Sequence, residues 1–537
     1  MSSAAAKQVT TKMSAAVASA KAAAAEALAA NAPKSVLSIP SIIRYGPIPL
    51  SELADQNGRT PGAAIRQVGP TRRIFLLDPN GHLTAEEMDG LAYRIKMLTK
   101  NTGLNSILCA NSIEKDDVDT TIPSSVLEID QETEPKSSSM DGLFNYQSSV
   151  THLPNAACGY DPRAMHKFSK DEKRQTLNAM MRLAKAIKGG SPTAGQNDDH
   201  SSKIPFITVP HGITTDGGYA LSMGSYVLAT SDSRFKIMNP ARGLSLDPIG
   251  LSYILPRLGW EFQQPSANYP VGVVLALTGF EANEGDMVET GLATHFMDSF
   301  GKLGSVERAL ANLAPYEQQN LLKEPTRKYG ESVGGGAGSK NRFQGDINAK
   351  FRNVAVAGLL HSVSLYDAMG QEITSASDQA TFLADEDPSL VLEGDRDPMF
   401  GDRESMLLNV AATFQDAFEK EKSVEGIMAR MREYASAEAN NEEEIEFVNA
   451  AKELLEGMEA QSPLALCATH KLVTVGKEPK ETLDSCMKRE MRVQLSLFEK
   501  EDFKNWAKSG AKEGEFQDWK HKSVKDVTKD EVAELFR

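Results

Sequence analysis

Apolar positions recur along this chain in two periods. Short runs of aliphatic and β-branched residues at Arg73–Leu77, Asn105–Ala110 and Ile204–Pro210 predict buried strands. Between them, apolar residues fall at helical spacing. Thr84 with Glu87 three residues on has the form of a capping box and predicts a helix through about Leu98. Asp171–Ile187 predicts a second helix, with Leu177, Met180, Met181 and Leu183 as its apolar positions. Strands alternating with helices predict β-α units on a shared sheet. Beyond Ser299 the pattern turns mostly helical, most strongly over Val410–Met458, where the run Glu442–Glu446 predicts a solvated face.

Other stretches have no period. Ser38–Pro70 is rich in Pro, Gly and Ser and predicts an extended arm, while Asn111–His152 and Gly189–Lys203 are polar and predict inserted loops. Thr374–Arg403 is acidic and loop-like. Tyr329–Arg342 contains GGGAGSK but lacks the spacing of a phosphate loop, so it predicts a linker. The expected division is therefore an N-terminal segment and arm over 1–70, an α/β core over 71–300, and a helical region over 301–537 with an insertion near 330–405.

Composition narrows the function classes. The 537 residues carry 58 Lys and Arg against 73 Asp and Glu, a net charge of -15, which opposes broad contact with nucleic acid phosphates. Cys109, Cys158, Cys467 and Cys486 are scattered, without metal-ligand spacing, so a reducing compartment and no metal site are expected. No apolar run approaches the length of a membrane span, so no membrane partner is expected. The first 36 residues are Ala-, Ser- and Lys-rich with Glu26 as their one acid; this is partly the composition of an organelle transit peptide, though without Arg, and also that of a flexible Ala-rich tail or a free amphipathic helix.

Ile204–Gly250 holds the candidate chemistry. It reads as strand, Gly-bearing turn, helix over Tyr219–Tyr226, strand, and a second Gly/Pro-rich turn. Gly217-Gly218 permits close approach of backbone, and N–H groups exposed at such a turn can hold an anionic oxygen.

HGITTDGGYALSM followed by FKIMNPARGLSLDPIGLSYILPRLG resembles the crotonase (enoyl-CoA hydratase/isomerase) superfamily, and within it the 3-hydroxyisobutyryl-CoA hydrolase branch. Leu275–Ser299, Ser462–Leu472 and the tail Phe516–Phe536 are similar to later segments of that branch. The resemblance implies an α/β crotonase (ClpP-like) spiral of ββα units with two perpendicular stacked sheets, followed by a helical C-terminal region. It also implies an oxyanion hole made by the Gly217 N–H and by the Tyr160 N–H, the latter from the match over Ala156–Asp161. Gly218 and Asn239 would line the substrate, and Asp247 would be the remaining catalytic carboxylate. No cofactor is implied beyond coenzyme A as part of the substrate.

Several positions depart from the family. Its Glu falls under Asn239 in one alignment and under Pro240 in another that also places Pro248 under the Asp; neither replacement can act as a base. Asp216 stands where the family has Gly, and a carboxylate beside an oxyanion is unfavourable unless it faces solvent or a cation. Arg242 could be that cation, or could pair with Asp247, bind a CoA phosphate or face solvent. His211 is expected to order its turn and Cys158 to be a small packed residue. After Asp502-Phe503, Lys504–Lys508 replaces a Gly-Val-Arg-Ala-like turn.

Two main readings follow from the resemblance. One is a mitochondrial matrix hydrolase of an acyl-CoA in valine breakdown; a homo-oligomer is a further expectation, tied to neither reading. The other is a non-catalytic component of the mitochondrial small ribosomal subunit, with mitochondrial ribosomal proteins as partners. An isomerase is a third, opposed by the hydrolase-type tail.

Overall fold

The computed structural model describes residues 37–39, 62–78, 80–99, 104–111, 155–190, 204–258, 269–297, 302–313, 355–360, 363, 405–511 and 515–537. From the fourth strand to the ninth, successive passes of the chain give one strand to each of two sheets. The seven-stranded sheet runs β1 (Leu37–Ile39), β2 (Ala63–Val68), β3 (Thr71–Leu76), β4 (Ser106–Asn111), β6 (Phe206–Val209), β8 (Tyr226–Thr230) and β11 (His295–Met297). The four-stranded sheet runs β10 (Glu281–Ala282), β9 (Ser233–Lys236), β7 (Gly212–Thr215) and β5 (Asn155–Ala157). β4 leads to β5, β6 to β7 and β8 to β9, so each of these pairs places neighbouring segments on different sheets. Only β2/β3 and β9/β10 are antiparallel; the remaining neighbours run parallel. This is the α/β spiral architecture expected of the crotonase resemblance, followed by helices.

The period-two pattern places side chains on two cores. Ile107 and Cys109 of β4 join the main core, while Leu108 and Ala110 face a second cluster with Ile207, Val209 and Leu228. Helix α1 (Ala85–Leu98) begins at Thr84 with both halves of its capping box formed. After the short helix α2 (Pro162–Met165), helix α3 (Lys170–Gly190) buries Leu177, Met180 and Leu183 in the main core. Helix α4 (Val271–Thr278) is buried nearly all round, and α5 (Leu303–Asn312) covers the second cluster through Val306 and Leu310.

The C-terminal helices include α6 (Val424–Ala435), α7 (Glu442–Glu459), α8 (Pro463–Gly476), α9 (Leu483–Leu497) and α10 (Glu501–Ser509). Leu454, Leu464, Val493 and Trp506 belong to the same hydrophobic cluster as the strands, so these helices complete the main core. Glu442–Glu444 are exposed, as the charge run predicts, and Ile445 is exposed with them.

Two expectations are corrected. The arm over Ser38–Pro70 takes in part of β1 and all of β2, whose short AAIRQV run pairs with β3 across Gly69-Pro70. The expected helix at Tyr219–Tyr226 is a 3-10 turn over Asp216–Ser222, and Tyr226 already starts β8. There Gly224 lies close to the Phe206 backbone and the Ser225 N–H donates to the Phe206 carbonyl at 2.9 Å, pulling the chain into the sheet. Most of the two expected inserted loops, the GGGAGSK segment, Thr374–Arg403 and the first 36 residues lie outside the described residues.

Candidate active site

The two Gly-bearing turns meet at the edge of the four-stranded sheet. A methyl built on Gly218 would run into the Ala157 carbonyl and lie 2.8 Å from the Cys158 nitrogen, so only glycine fits there. Gly159 has φ 78 and its α-carbon faces the Gly217 backbone, with a built methyl 3.1 Å from the Gly217 carbonyl carbon. The candidate donors, Gly217 and Tyr160, are thus brought onto adjacent turns. Cys158 is a packed residue whose N–H donates to the Gly81 carbonyl at 2.8 Å. His211 sits half-buried at the β6–β7 turn, its Nδ1 3.6 Å from Asp232.

A buried polar network fills the space beside these turns. Tyr160 donates its hydroxyl to Asp247 Oδ1 at 2.7 Å. Gln494, on α9, donates to the same Oδ1 and to the Tyr160 hydroxyl, each at 3.0 Å. Gln494 Oε1 accepts the Ser245 N–H at 3.0 Å. The Asp247 carboxylate also lies against the Gly217 backbone. Asp247 is 2% exposed, and burial pushes its carboxyl up from the ordinary range; Tyr160, Asn239, Arg242 and Gly217 pull the other way. Burial, with the Asp247 charge, likewise pushes the Tyr160 phenol well up.

Asp216 is buried and is the one non-glycine residue with positive φ, 41°, among the described residues. Its Oδ1 accepts the Met238 and Asn239 N–H groups at 3.0 and 3.1 Å, and its Oδ2 pairs with Arg242 Nη1 at 3.1 Å. Arg242 therefore pairs with Asp216, the first of the options open in the sequence. Burial nevertheless pushes the Asp216 carboxyl up to about 7, outweighing the Arg242 guanidinium, and the Asp247 charge adds to the rise. Asn239 lies in the same cluster, its Oδ1 3.4 Å from Arg242 Nη1.

Little room remains. A methyl built on Gly217 would lie 2.7 Å from Met180 Sδ and 2.9 Å from Asp247 Oδ2, so the thioether of Met180 and a carboxylate oxygen both press on this turn. The Met180 methyl also faces Gly159. The cavity between Gly81, Ala157, Gly159, Met180 and Gly217 measures about 10 Å³, space for about one water.

Helix α9 supplies groups that the sequence reading did not single out. Glu490 accepts the Gly250 and Ser252 N–H groups, each at 2.7 Å, and burial pushes its carboxyl up to about 7. Glu490 and Gln494 stand four residues apart among the buried Cys486, Met487, Val493 and Leu497. Polar residues set in an apolar stripe were the available signal. Where the resemblance expects a Gly-containing turn after Phe503, α10 continues as helix; Trp506 is buried, 4.5 Å from the Arg163 guanidinium and 6.0 Å from that of Arg242. Among the described residues no His/Cys/Asp/Glu group could hold a metal, and no helix is long and apolar enough to cross a membrane.

A family model for enoyl-CoA hydratase/isomerase matches residues 196–391 and 368–536, together more than half of the chain. The chain is 38% identical over 122 residues to the mitochondrial 3-hydroxyisobutyryl-CoA hydrolase of Bos taurus, covering 22% of this chain and 29% of that one. The corresponding protein of Homo sapiens is 37% identical over 122 residues, with the same shares. The match thus spans less than a third of the length of these curated relatives. A carnitinyl-CoA dehydratase from Mycobacterium thermoresistibile has a similar structure, with TM-score 0.55 and 15% identity, covering 89% of this chain and 96% of that one. At that identity the likeness is one of fold.

Proposed function

We propose a function from one premise, that the chain belongs to the enoyl-CoA hydratase/isomerase family. Within it the chain derives from the 3-hydroxyisobutyryl-CoA hydrolase branch and has a thioester site that no longer supports efficient hydrolysis. The observation that carries this reading is the occupancy of the site by the protein's own groups. The Asp247 carboxylate and the Met180 thioether both press on the Gly217 turn, where a thioester oxygen would be held. Negative charge developing there would meet Asp247 and Asp216 in a desolvated pocket, where Arg242 is already paired with Asp216. Asn239 supplies no base. Tyr160 and Gln494 then hold Asp247 in place as structural partners, and Gly218 serves the close packing of the turn.

The role left for such a protein is non-catalytic, in the mitochondrial matrix, and the scaffold reading places it among mitochondrial small-subunit ribosomal proteins. The buried Tyr160–Asp247–Gln494 network supports the structural side of this reading, since it joins α9 to the candidate site. Calorimetric titration of the full chain with a non-hydrolysable thioether analogue of 3-hydroxyisobutyryl-CoA tests the occupied site. No saturable heat is expected at micromolar analogue. Saturable binding that Gly217→Val abolishes in a folded protein would overturn the reading. Native purification from mitochondria tests the partner: co-sedimentation with the small ribosomal subunit is expected, and a chain recovered only free of it would contradict the scaffold role.

A further inference from the structure

An open groove of about 770 Å³ lies between the start of α1 and the α2–α3 segment. It shares Gly62, Asp78, His82 and Leu83 with the small inner cavity, so it is the outer approach to the candidate site. Its apolar lining includes Leu77, Leu83, Met165 and Phe168, and Phe168 is 38% exposed, one of three large hydrophobics so exposed among the described residues. Asp78, Glu86, Glu87, Asp161 and Glu172 also line it, and among the described residues none of its lining is Lys or Arg.

Four of these carboxylates are held by groups that orient them without neutralising them. Asp78 accepts the Asn80 N–H at 2.7 Å, and Asp161 accepts the Arg163 N–H at 2.9 Å. Glu87 accepts the Gly62 and Thr84 N–H groups at 2.7 and 2.8 Å, while Glu172 accepts the Ser169 N–H and hydroxyl, each at 2.7 Å. Backbone amides carry no net charge, so the groove keeps a fixed negative potential focused between low-dielectric walls.

We infer that this groove docks a Lys- or Arg-rich segment of a partner protein that inserts one apolar side chain against Phe168, and that it rejects phosphate-bearing ligands. Charge complementarity selects the partner: coenzyme A carries a pyrophosphate and a 3′-phosphate and would be repelled by the same carboxylates that hold a cation. The apolar floor beneath a charged rim gives such a segment an anchor as well as steering. This inference stands on the groove and does not depend on whether the inner site hydrolyses anything.

The test uses the full chain and a fluorescein-labelled decapeptide of lysine with a central leucine. Fluorescence anisotropy reads its binding to the wild type, to Glu86→Lys/Glu172→Lys and to Phe168→Ser, with each variant's melting curve as the folding control. Saturable binding is expected, weakened at least about tenfold by the charge reversal and about tenfold by Phe168→Ser. Free coenzyme A should not displace the peptide, and the same peptide with glutamate for lysine should not bind. Absence of saturable binding, binding unchanged in both variants, equal binding of the acidic peptide, or displacement by coenzyme A would overturn the inference. The first three results leave the occupied-site reading standing, because that reading is tested by thioester binding and turnover.

Discussion

Tyr160 gives its hydroxyl proton to a carboxylate that has almost no access to water, so its loss is not made good by solvent. Tyr160→Phe leaves Asp247 and Gln494 each short of one partner and should destabilise the fold by about 1–3 kcal/mol, read by urea unfolding. Glu490 makes a second prediction. Burial raises its carboxyl from an ordinary 4.5 to about 7, so the folded protein binds this proton more tightly than the unfolded chain. Its contribution to stability is therefore present below about 4.5 and is lost as pH rises through about 7. Unfolding free energy should fall across that window, and Glu490→Gln should flatten the fall by up to about one proton's worth of slope. An unchanged slope would show that Glu490 does not titrate there. At this scale the sequence disclosed Asp216, Gly217, Tyr160, Asn239, Arg242 and Asp247, because a motif supplied their register. It did not disclose Met180, since a methionine on an apolar stripe looks the same whether it fills a core or a site.

At the scale of elements, two glycines with opposite surroundings make a paired test. Gly218→Ala would drive its methyl into the Ala157 carbonyl and the Cys158 nitrogen of a neighbouring turn, backbone that cannot rotate away. The expected loss is about 3 kcal/mol or more, seen as a lower melting temperature or insoluble expression. Gly304→Ala, on α5, meets nothing within 4 Å and should be neutral or stabilising by up to about 1 kcal/mol. Equal effects would contradict the packing described here. Helix α1 was legible because its capping box is local. The turn at Asp216–Ser222 was not, since Gly224 and Ser225 are drawn to Phe206 by contacts made only in the folded sheet. β2 was hidden for a related reason: six residues in a Pro- and Gly-rich stretch pair with β3 only once the hairpin closes.

At the scale of the molecule, the helices after Ser405 close the core that the strands begin. Gln494 and Glu490 tie α9 to Ser245, Asp247, Gly250 and Ser252, and Asp502 of α10 accepts the Lys520 N–H at 2.8 Å while also binding Ser462. A chain ending at Gln461 would expose the apolar face covered by α8–α10 and should yield no cooperatively folded protein, as read by calorimetric melting. The alternation of strands and helices and the family motif made the architecture readable. The filling of the site was not readable, because it depends on a helix about 250 residues further along that no local pattern connects to Asp247. The filled site should not turn over thioester. Release of free coenzyme A thiol from 3-hydroxyisobutyryl-CoA by the wild-type chain measures this. The predicted result is a rate no higher than that of Asp247→Asn or of buffer. Brisk wild-type turnover that Asp247→Asn abolishes would show the site to be active and make Asp247 the group that carries the reaction.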